Sequence, residues 1–236
     1  MHVYLHETID IRGDGTDAYL RAVLERAHHS ETYGMSRLVG TWRVIGSTHR
    51  WPRVVNLWEM DGWAHWASTL ERQFVPGKKD PHLEPWWREM TRFRRGGFDR
   101  ILLPAPFSPT CIDLRSSGQP AAVCEQTWYR GPAGVEERLL DEVAQTLEEQ
   151  RERQGVRLAG AYRAAMRSGE ALVMWFASSF AALCAEREAL MASAAWRAWQ
   201  QRLRHLGVRW ETLWLAPPQG VLLGGDRNGG RGEEGR

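Results

Sequence analysis

Two short segments in the first half of the chain hold the side chains best suited to acid–base chemistry. VYLHETID carries His6 and Glu7, and VVNLWEM carries Glu59. A buried carboxylate or imidazole with a shifted pKa can abstract a proton from an activated carbon. These three residues are therefore the candidate catalytic groups, as a pair of His6 with Glu59 or of Glu7 with Glu59.

Both segments alternate between apolar and polar residues, which predicts half-buried strands. Successive side chains of a strand point to opposite faces, so Asn56 and Trp58 share one face and Glu59 lies on the other. The sequence leaves open which face meets the helices. It also leaves open a structural alternative, in which the glutamates pair with Arg37 or Arg43 across the sheet.

Thirteen tryptophans in 236 residues predict a core or a pocket that is built largely from indole rings. The helix DGWAHWASTL places an apolar stripe at spacing i, i+3, i+7, which leaves His65 about 200° away from its centre and favours a partly exposed histidine. Arg43 recurs in the second half, which favours a structural role for it. The candidate substrate contacts are Asn56, Trp58, Trp66, His65 and Arg43, with Trp58 and Trp66 preferred as pocket members.

The chain contains an internal repeat. RLVGTWR at 37–43 returns as RLAGAYR at 157–163, with four of the seven positions identical. Strand, helix and turn patterns recur around both copies. VYLHETID at 3–10 is matched by AVCEQTWY at 122–129, and Trp58 aligns with Trp175. Each unit is predicted as β-α-β-β-α-(α)-β, the ferredoxin-like order, which forms an antiparallel sheet with helices on one face.

The repeat divides the chain into four segments. Residues 1–106 form the first ferredoxin-like unit, and residues 122–218 form the second. Residues 107–121 have the composition of a linker. Residues 219–236 are rich in glycine and charge, so we expect a flexible tail.

RLxGxWR, VVNLWEMDGW and the WWRxM segment resemble the dimeric α+β barrel superfamily, and within it the NIPSNAP-like proteins in tandem form. The resemblance spans about residues 2–218. It implies an α+β fold in which the sheets of the two units pack together into a barrel. Other members of the superfamily include small cofactor-free monooxygenases, polyketide cyclases, and haem proteins of the chlorite dismutase type.

The resemblance implies a small-molecule enzyme that acts on a hydrophobic or aromatic substrate by proton transfer or cofactor-free oxygenation, with a biosynthetic role as one option. We expect no cofactor. One alternative is a non-catalytic NIPSNAP-like binding or scaffold protein. The other is a haem protein, for which His205 is the candidate ligand.

The two units differ in polarity. Seven of the eight histidines lie in the first half. The first unit has Asn56, Glu59 and His65 where the second has Val173, Phe176 and Ala182. This contrast predicts one working pocket, in the first unit, and one structural partner.

Several classes of protein are disfavoured by composition. A net charge of +2 with interspersed signs argues against nucleic-acid binding. The chain contains no run of about 20 apolar residues, so the sequence predicts no membrane-spanning helix. The amino terminus lacks the pattern of a signal peptide, and three scattered cysteines indicate neither a disulfide framework nor a zinc site. We therefore expect a cytoplasmic protein that binds no metal. The sequence leaves open whether the protein forms a homo-oligomer.

Overall fold

The computed structural model describes residues 1–118, 121–147, 151–152 and 155–218. The first unit contains the predicted elements in the predicted order. They are β1 (Val3–Ile11), α1 (Thr16–Thr32), β2 (Arg37–Val44), β3 (Arg53–Met60), α2 (Trp63–Phe74), α3 (Leu83–Met90) and β4 (Arg94–Pro104).

The second unit repeats this order after a short helix, α4 (Cys111–Ser116). The elements are β5 (Val123–Arg130), α5 (Val135–Glu142), β6 (Val156–Ala164), β7 (Glu170–Ala177), α6 (Phe180–Ala192), α7 (Ala194–His205) and β8 (Arg209–Ala216). One π-helical turn at Val143–Leu147 extends α5.

The eight strands close into one antiparallel barrel in the order β1-β3-β2-β8-β5-β7-β6-β4. Each unit contributes four neighbouring strands. The β2–β8 and β4–β6 pairs join the two units. The predicted fold class, two tandem ferredoxin-like units whose sheets form an α+β barrel, is confirmed.

Strand pairing corrects the alignment of the two units by one residue. The sequence comparison set VYLHETID against residues 122–129, but Leu5 lies opposite Trp58 and Glu125 lies opposite Trp175. His6 therefore corresponds to Gln126. These two side chains meet inside the barrel, with 2.8 Å between His6 Nε2 and Gln126 Oε1.

The barrel interior is filled by side chains from both units, including Tyr4, Trp42, Trp128 and Tyr162. The repeated RLxGx(W/Y)R motif explains part of this packing. A Cβ atom on Gly40 would overlap the ring of Trp42, and one on Gly160 would overlap the ring of Tyr162. The glycine of the motif therefore allows the ring two residues later to lie against the strand.

The segment predicted as a linker includes helix α4. Thr110 and Asp113 form a capping box at its start. Cys111 and Leu114 join the buried cluster inside the barrel, so α4 is part of the core. The tail predicted at 219–236 lies outside the described residues. Among the described residues, no helix is both long and apolar enough to cross a membrane.

The helices over the two sheets are packed very differently. In the second unit, α7 buries Trp196, Trp199 and Leu203. In the first unit, α2 buries no residue and α3 buries only Met90. The first sheet is therefore incompletely covered, which leaves a cleft beneath α2 and α3.

This difference predicts that truncating a tryptophan lowers the free energy of unfolding more in the second unit than in the first. Trp199 is 1% exposed and stacks on Trp196 with 4.9 Å between ring centroids. We expect Trp199→Ala to lower the free energy of unfolding by about 4 kcal/mol. Trp87→Ala, on the half-buried α3, should cost about 1 kcal/mol. Urea denaturation of both variants with unchanged m-values would measure this, and equal losses would contradict it.

Candidate functional site

A cleft lies between the first sheet and helices α1, α2 and α3. Its empty space, including open solvent at its mouth, is about 640 Å³. Four tryptophans, Trp58 and Trp66 among them, belong to its apolar wall. The apolar lining comprises Leu5, Met35, Trp58, Met60, Trp66, Leu83, Trp86 and Trp87, and the polar lining comprises Glu7, Arg26, Ser30, Ser36, Thr69, Arg72 and Gln73.

Glu7 is the carboxylate of this cleft. It lies on the helix-facing side of β1 and is buried, with 7% of its surface exposed. Asn56 Nδ2 and Trp58 Nε1 donate hydrogen bonds to its Oε2 at 3.0 and 2.9 Å. Its Oε1 has only a longer contact, 3.4 Å from Arg94 Nη2. Oε2 is therefore saturated, whereas Oε1 keeps lone-pair capacity for another proton donor.

Neighbouring side chains hold the Glu7 partners in place. Thr41 Oγ1 donates to Asn56 Oδ1 at 2.6 Å, which turns the amide Nδ2 toward Glu7. Arg94 donates to the Tyr19 hydroxyl at 3.0 Å and lies 4.4 Å from the centroid of the Trp87 ring. Burial, chiefly, raises the pKa of Tyr19 to about 12. Tyr19 is therefore a neutral hydroxyl at pH 7.

A second carboxyl group lies beside Glu7. Asp99 is its neighbour across the β1–β4 pair. Desolvation, first, and the negative charge of Glu7, second, raise the pKa of Asp99 to about 6, although the residue keeps an exposed surface. The carboxylate of Glu7 thus has two charged neighbours on β4, the cation of Arg94 and the carboxyl group of Asp99.

Glu59 lies on the other side of the sheet, inside the barrel. Its Oε2 accepts from the Tyr4 hydroxyl at 2.6 Å and from the Cys111 backbone N–H at 2.8 Å, and its Oε1 accepts from Arg37 Nε at 2.9 Å. The sheet separates it from Glu7, so the predicted Glu7–Glu59 pair does not form. The structural alternative, a pair with Arg37, is what the structure shows for Glu59.

His6 also points into the barrel and away from the cleft. It is fully buried, its Nε2 pairs with Gln126, and its Nδ1 has no hydrogen-bond partner among the described residues. The predicted pairing of His6 with Glu59 is therefore not formed. Burial is the main reason that the pKa of His6 is lowered to about 4.

The lowered pKa of His6 predicts acid sensitivity of the fold. The unfolded chain takes up the proton near pH 6.5 but the folded chain only near pH 4, so stability is full above pH 6.5 and declines as the pH falls toward 4. We expect a loss of about 2 kcal/mol between pH 7.5 and pH 5 from this residue. In His6→Gln this part of the pH dependence should disappear, measured by urea denaturation at both pH values. Identical pH slopes for the two proteins would refute the assignment.

The remaining predicted residues divide between the cleft and its surroundings. Asn56 and Trp58 bind Glu7, and Trp66 lines the wall. Two others do not line the cleft. Arg43 forms an ion pair with Asp17. His65 Nδ1 accepts the backbone N–H of Asp61 at 3.1 Å.

Sequence reasoning missed Tyr19, Arg94 and Asp99 as members of the site. Arg94 and Asp99 belong to β4, which follows β1 by more than 80 residues but pairs with it throughout. The ferredoxin-like strand order, in which the first and last strands are neighbours, was a signal that could have indicated them.

The equivalent space in the second unit is occupied by charged side chains. Glu125 Oε1 accepts from Arg151 Nη1 at 2.8 Å, and its Oε2 pairs with Arg187. Arg151 Nε lies 2.7 Å from Glu186 Oε1. The sequence contrast suggested that the second unit is apolar at these positions, but the structure shows buried charged side chains in this unit. Its polar groups lie at other positions and neutralise one another.

A haem site through His205 does not fit this arrangement. His205 lies at the exposed end of α7, whose buried face presents Trp196, Trp199 and Leu203 to the sheet.

Across the described part of the chain, no cluster of three or more His, Cys, Asp or Glu side chains could hold a metal ion.

Comparison with known proteins gives fold-level likenesses. No family model and no curated protein matches the chain. A proposed monooxygenase from Lactobacillus acidophilus NCFM superimposes with a TM-score of 0.62 at 8% identity, covering 94% of this chain and 98% of that chain. A proposed chlorite dismutase gives 0.52 at 13% identity, covering 95% and 97%.

An uncharacterized NIPSNAP domain protein from Burkholderia xenovorans is 23% identical over 47% of this chain and 100% of its own, with a TM-score of 0.38. Because the identities are low, the likenesses to the proposed monooxygenase and the proposed chlorite dismutase, which cover nearly the whole chain, establish the fold and not a shared activity. The chain shares the α+β barrel fold of these structures, with both halves of the barrel supplied by one polypeptide.

Proposed function

We propose that the first-unit cleft binds a hydrophobic or aromatic small molecule and that Glu7 abstracts a proton from an activated carbon of it. The observation that carries this proposal is a buried carboxylate in a cleft walled by tryptophans, whose Oε1 accepts only one long contact, 3.4 Å from Arg94 Nη2. Mostly apolar clefts with a few converging polar groups are the usual form of small-molecule sites.

The geometry supports a specific division of labour. Asn56 and Trp58 hold Oε2, so Oε1 is the oxygen left to accept a proton from a substrate in the cleft. The proton would move from carbon to Oε1, and the electron pair would delocalise into an adjacent carbonyl group as an enolate. Return of the proton to another carbon completes an isomerisation. Attack of the enolate carbon on a second carbonyl carbon of the same molecule, followed by transfer of the proton to the resulting alkoxide, completes a cyclisation. Reaction of the enolate with dioxygen would instead give oxygenation.

Solvent hydrogen exchange tests the proposal without knowledge of the natural substrate. The protein is incubated in D2O with a panel of 1,3-dicarbonyl compounds and hydroxylated aromatic compounds, and loss of the carbon-bound proton signal is followed by NMR. We expect catalysed exchange for at least one member. Oxygen consumption by the same mixtures separates oxygenation from isomerisation. Binding without exchange in every case would reject Glu7 as a base.

One observation favours a second candidate, a non-catalytic binding protein. Three donors, from Asn56, Trp58 and Arg94, surround the Glu7 carboxylate and occupy acceptor sites that a substrate proton would need. In that case ligands would raise the melting temperature while the exchange rates stay at the uncatalysed level.

A further inference from the structure

The cleft is electrically polarised along its depth. The Glu7 carboxylate lies at its floor, against the sheet. Arg72, in the last turn of α2, lines both the cleft and a groove that continues from it. Lys79 lines the same groove, and so do two carboxylates, Asp80 and Glu84, whose charges are offset by Arg26 and Arg88. Negative charge inside and positive charge at the mouth would orient any ligand that carries a charge of its own.

The cations at the mouth differ in whether they have partners. Arg26 is held by Asp80 at 3.1 Å, and Lys78 is held by Glu71 at 2.7 Å. By contrast, the side chains of Arg72 and Lys79 make no ion pair or hydrogen bond within the part of the chain that the structure describes. The dipole of α2 accounts for a cation in its last turn. It does not account for two unpaired cations that line one groove.

We infer that the ligand of the cleft is an amphiphilic acid, with an apolar or aromatic body and one anionic group, such as a carboxylate. This inference rests on the proposed function and adds the substrate class to it. The anionic group would lie at the mouth on Arg72 and Lys79, since the charge of Glu7 repels it from the floor. The apolar body would then lie among Trp58, Trp66 and Trp86. The carbon to be deprotonated would lie at the end of the ligand opposite the anionic group.

Two fluorescent probes with nearly the same skeleton test the inference. They are 8-anilinonaphthalene-1-sulfonate, which is anionic, and N-phenyl-1-naphthylamine, which lacks the sulfonate. We expect the anionic probe to bind about five- to tenfold more tightly at low ionic strength, and added salt to reduce this ratio. Arg72→Gln should weaken binding of the anionic probe about fivefold and leave the neutral probe unchanged.

Matched variants make each outcome decisive. Arg138→Gln removes the same charge from an exposed site on α5 of the second unit and should alter neither affinity. Trp86→Ala should weaken both probes. The anionic substrate class would be overturned if the two probes bind with equal affinity, or if Arg72→Gln weakens the binding of both probes equally. Either result would leave the proposed function standing. Failure of both probes to bind, or indifference of both to Trp86→Ala, would overturn ligand binding in the cleft and the proposed function with it.

Discussion

Glu59→Gln is expected to lower the free energy of unfolding by about 3 kcal/mol. The carboxylate is fully buried, and all three of its close partners, on Tyr4, Arg37 and Cys111, are donors. A glutamine amide would turn its own N–H groups toward one of these donors. It would also remove the buried partner of Arg37, which would keep only its ion pair with the exposed Asp61, and a broken buried pair costs more than an intact one contributes.

Graded controls separate this structural role from catalysis. Tyr4→Phe removes one of the three donors and should cost about 1 kcal/mol. Glu71→Gln makes the same chemical change at an exposed position of α2 and should stay within about 0.5 kcal/mol. Denaturant titrations of the three variants give the comparison. If Glu59→Gln keeps full stability but loses turnover, Glu59 is catalytic and the assignment of its role is wrong.

Glu7→Gln is expected to slow the catalysed hydrogen exchange at least about 100-fold, because the amide cannot accept the proton. Its stability cost should be only about 1 kcal/mol. The amide oxygen can still accept from Asn56 and Trp58, and Arg94 keeps its contacts with Tyr19 and Trp87. Glu7→Gln should therefore lose activity and keep most of its stability, whereas Glu59→Gln should lose stability.

Two further variants check that the effect comes from the carboxylate at its position. Glu7→Asp keeps the charge but withdraws it by one methylene, so its rate should lie between those of the wild type and Glu7→Gln. Asp99→Asn removes the neighbouring carboxyl group and should retain exchange at pH 7. Exchange that survives in Glu7→Gln, measured with the same probe compound, would place the base elsewhere.

Much of the fold could be predicted from local patterns. Strand alternation, helical spacing and the RLxGx(W/Y)R repeat each depend on residues within a few positions of one another, so duplication and element order follow directly. The preference for Trp58 and Trp66 as cleft residues also came from such patterns. Both side chains line the cleft in the structure, and their contact with a ligand stays a prediction.

The site itself depended on contacts that no local pattern contains. Alternation assigns Glu7 and Glu59 to faces of their own strands, but it does not indicate which face becomes the interior. Pairing of β4 with β6 and of β2 with β8 closes the barrel and decides this. It directs Glu59 and His6 inward and leaves Glu7 beneath the helices, where β4 brings Arg94.

By itself, the sequence determined that this protein is built from two ferredoxin-like units, because periodicity and repetition are properties of neighbouring residues. Only the tertiary structure decided that one unit is sealed by Glu125, Arg151 and Glu186 while the other keeps an open cleft around Glu7. Burial and charge pairing are set by residues far apart in the chain, and they exist only once the barrel has closed.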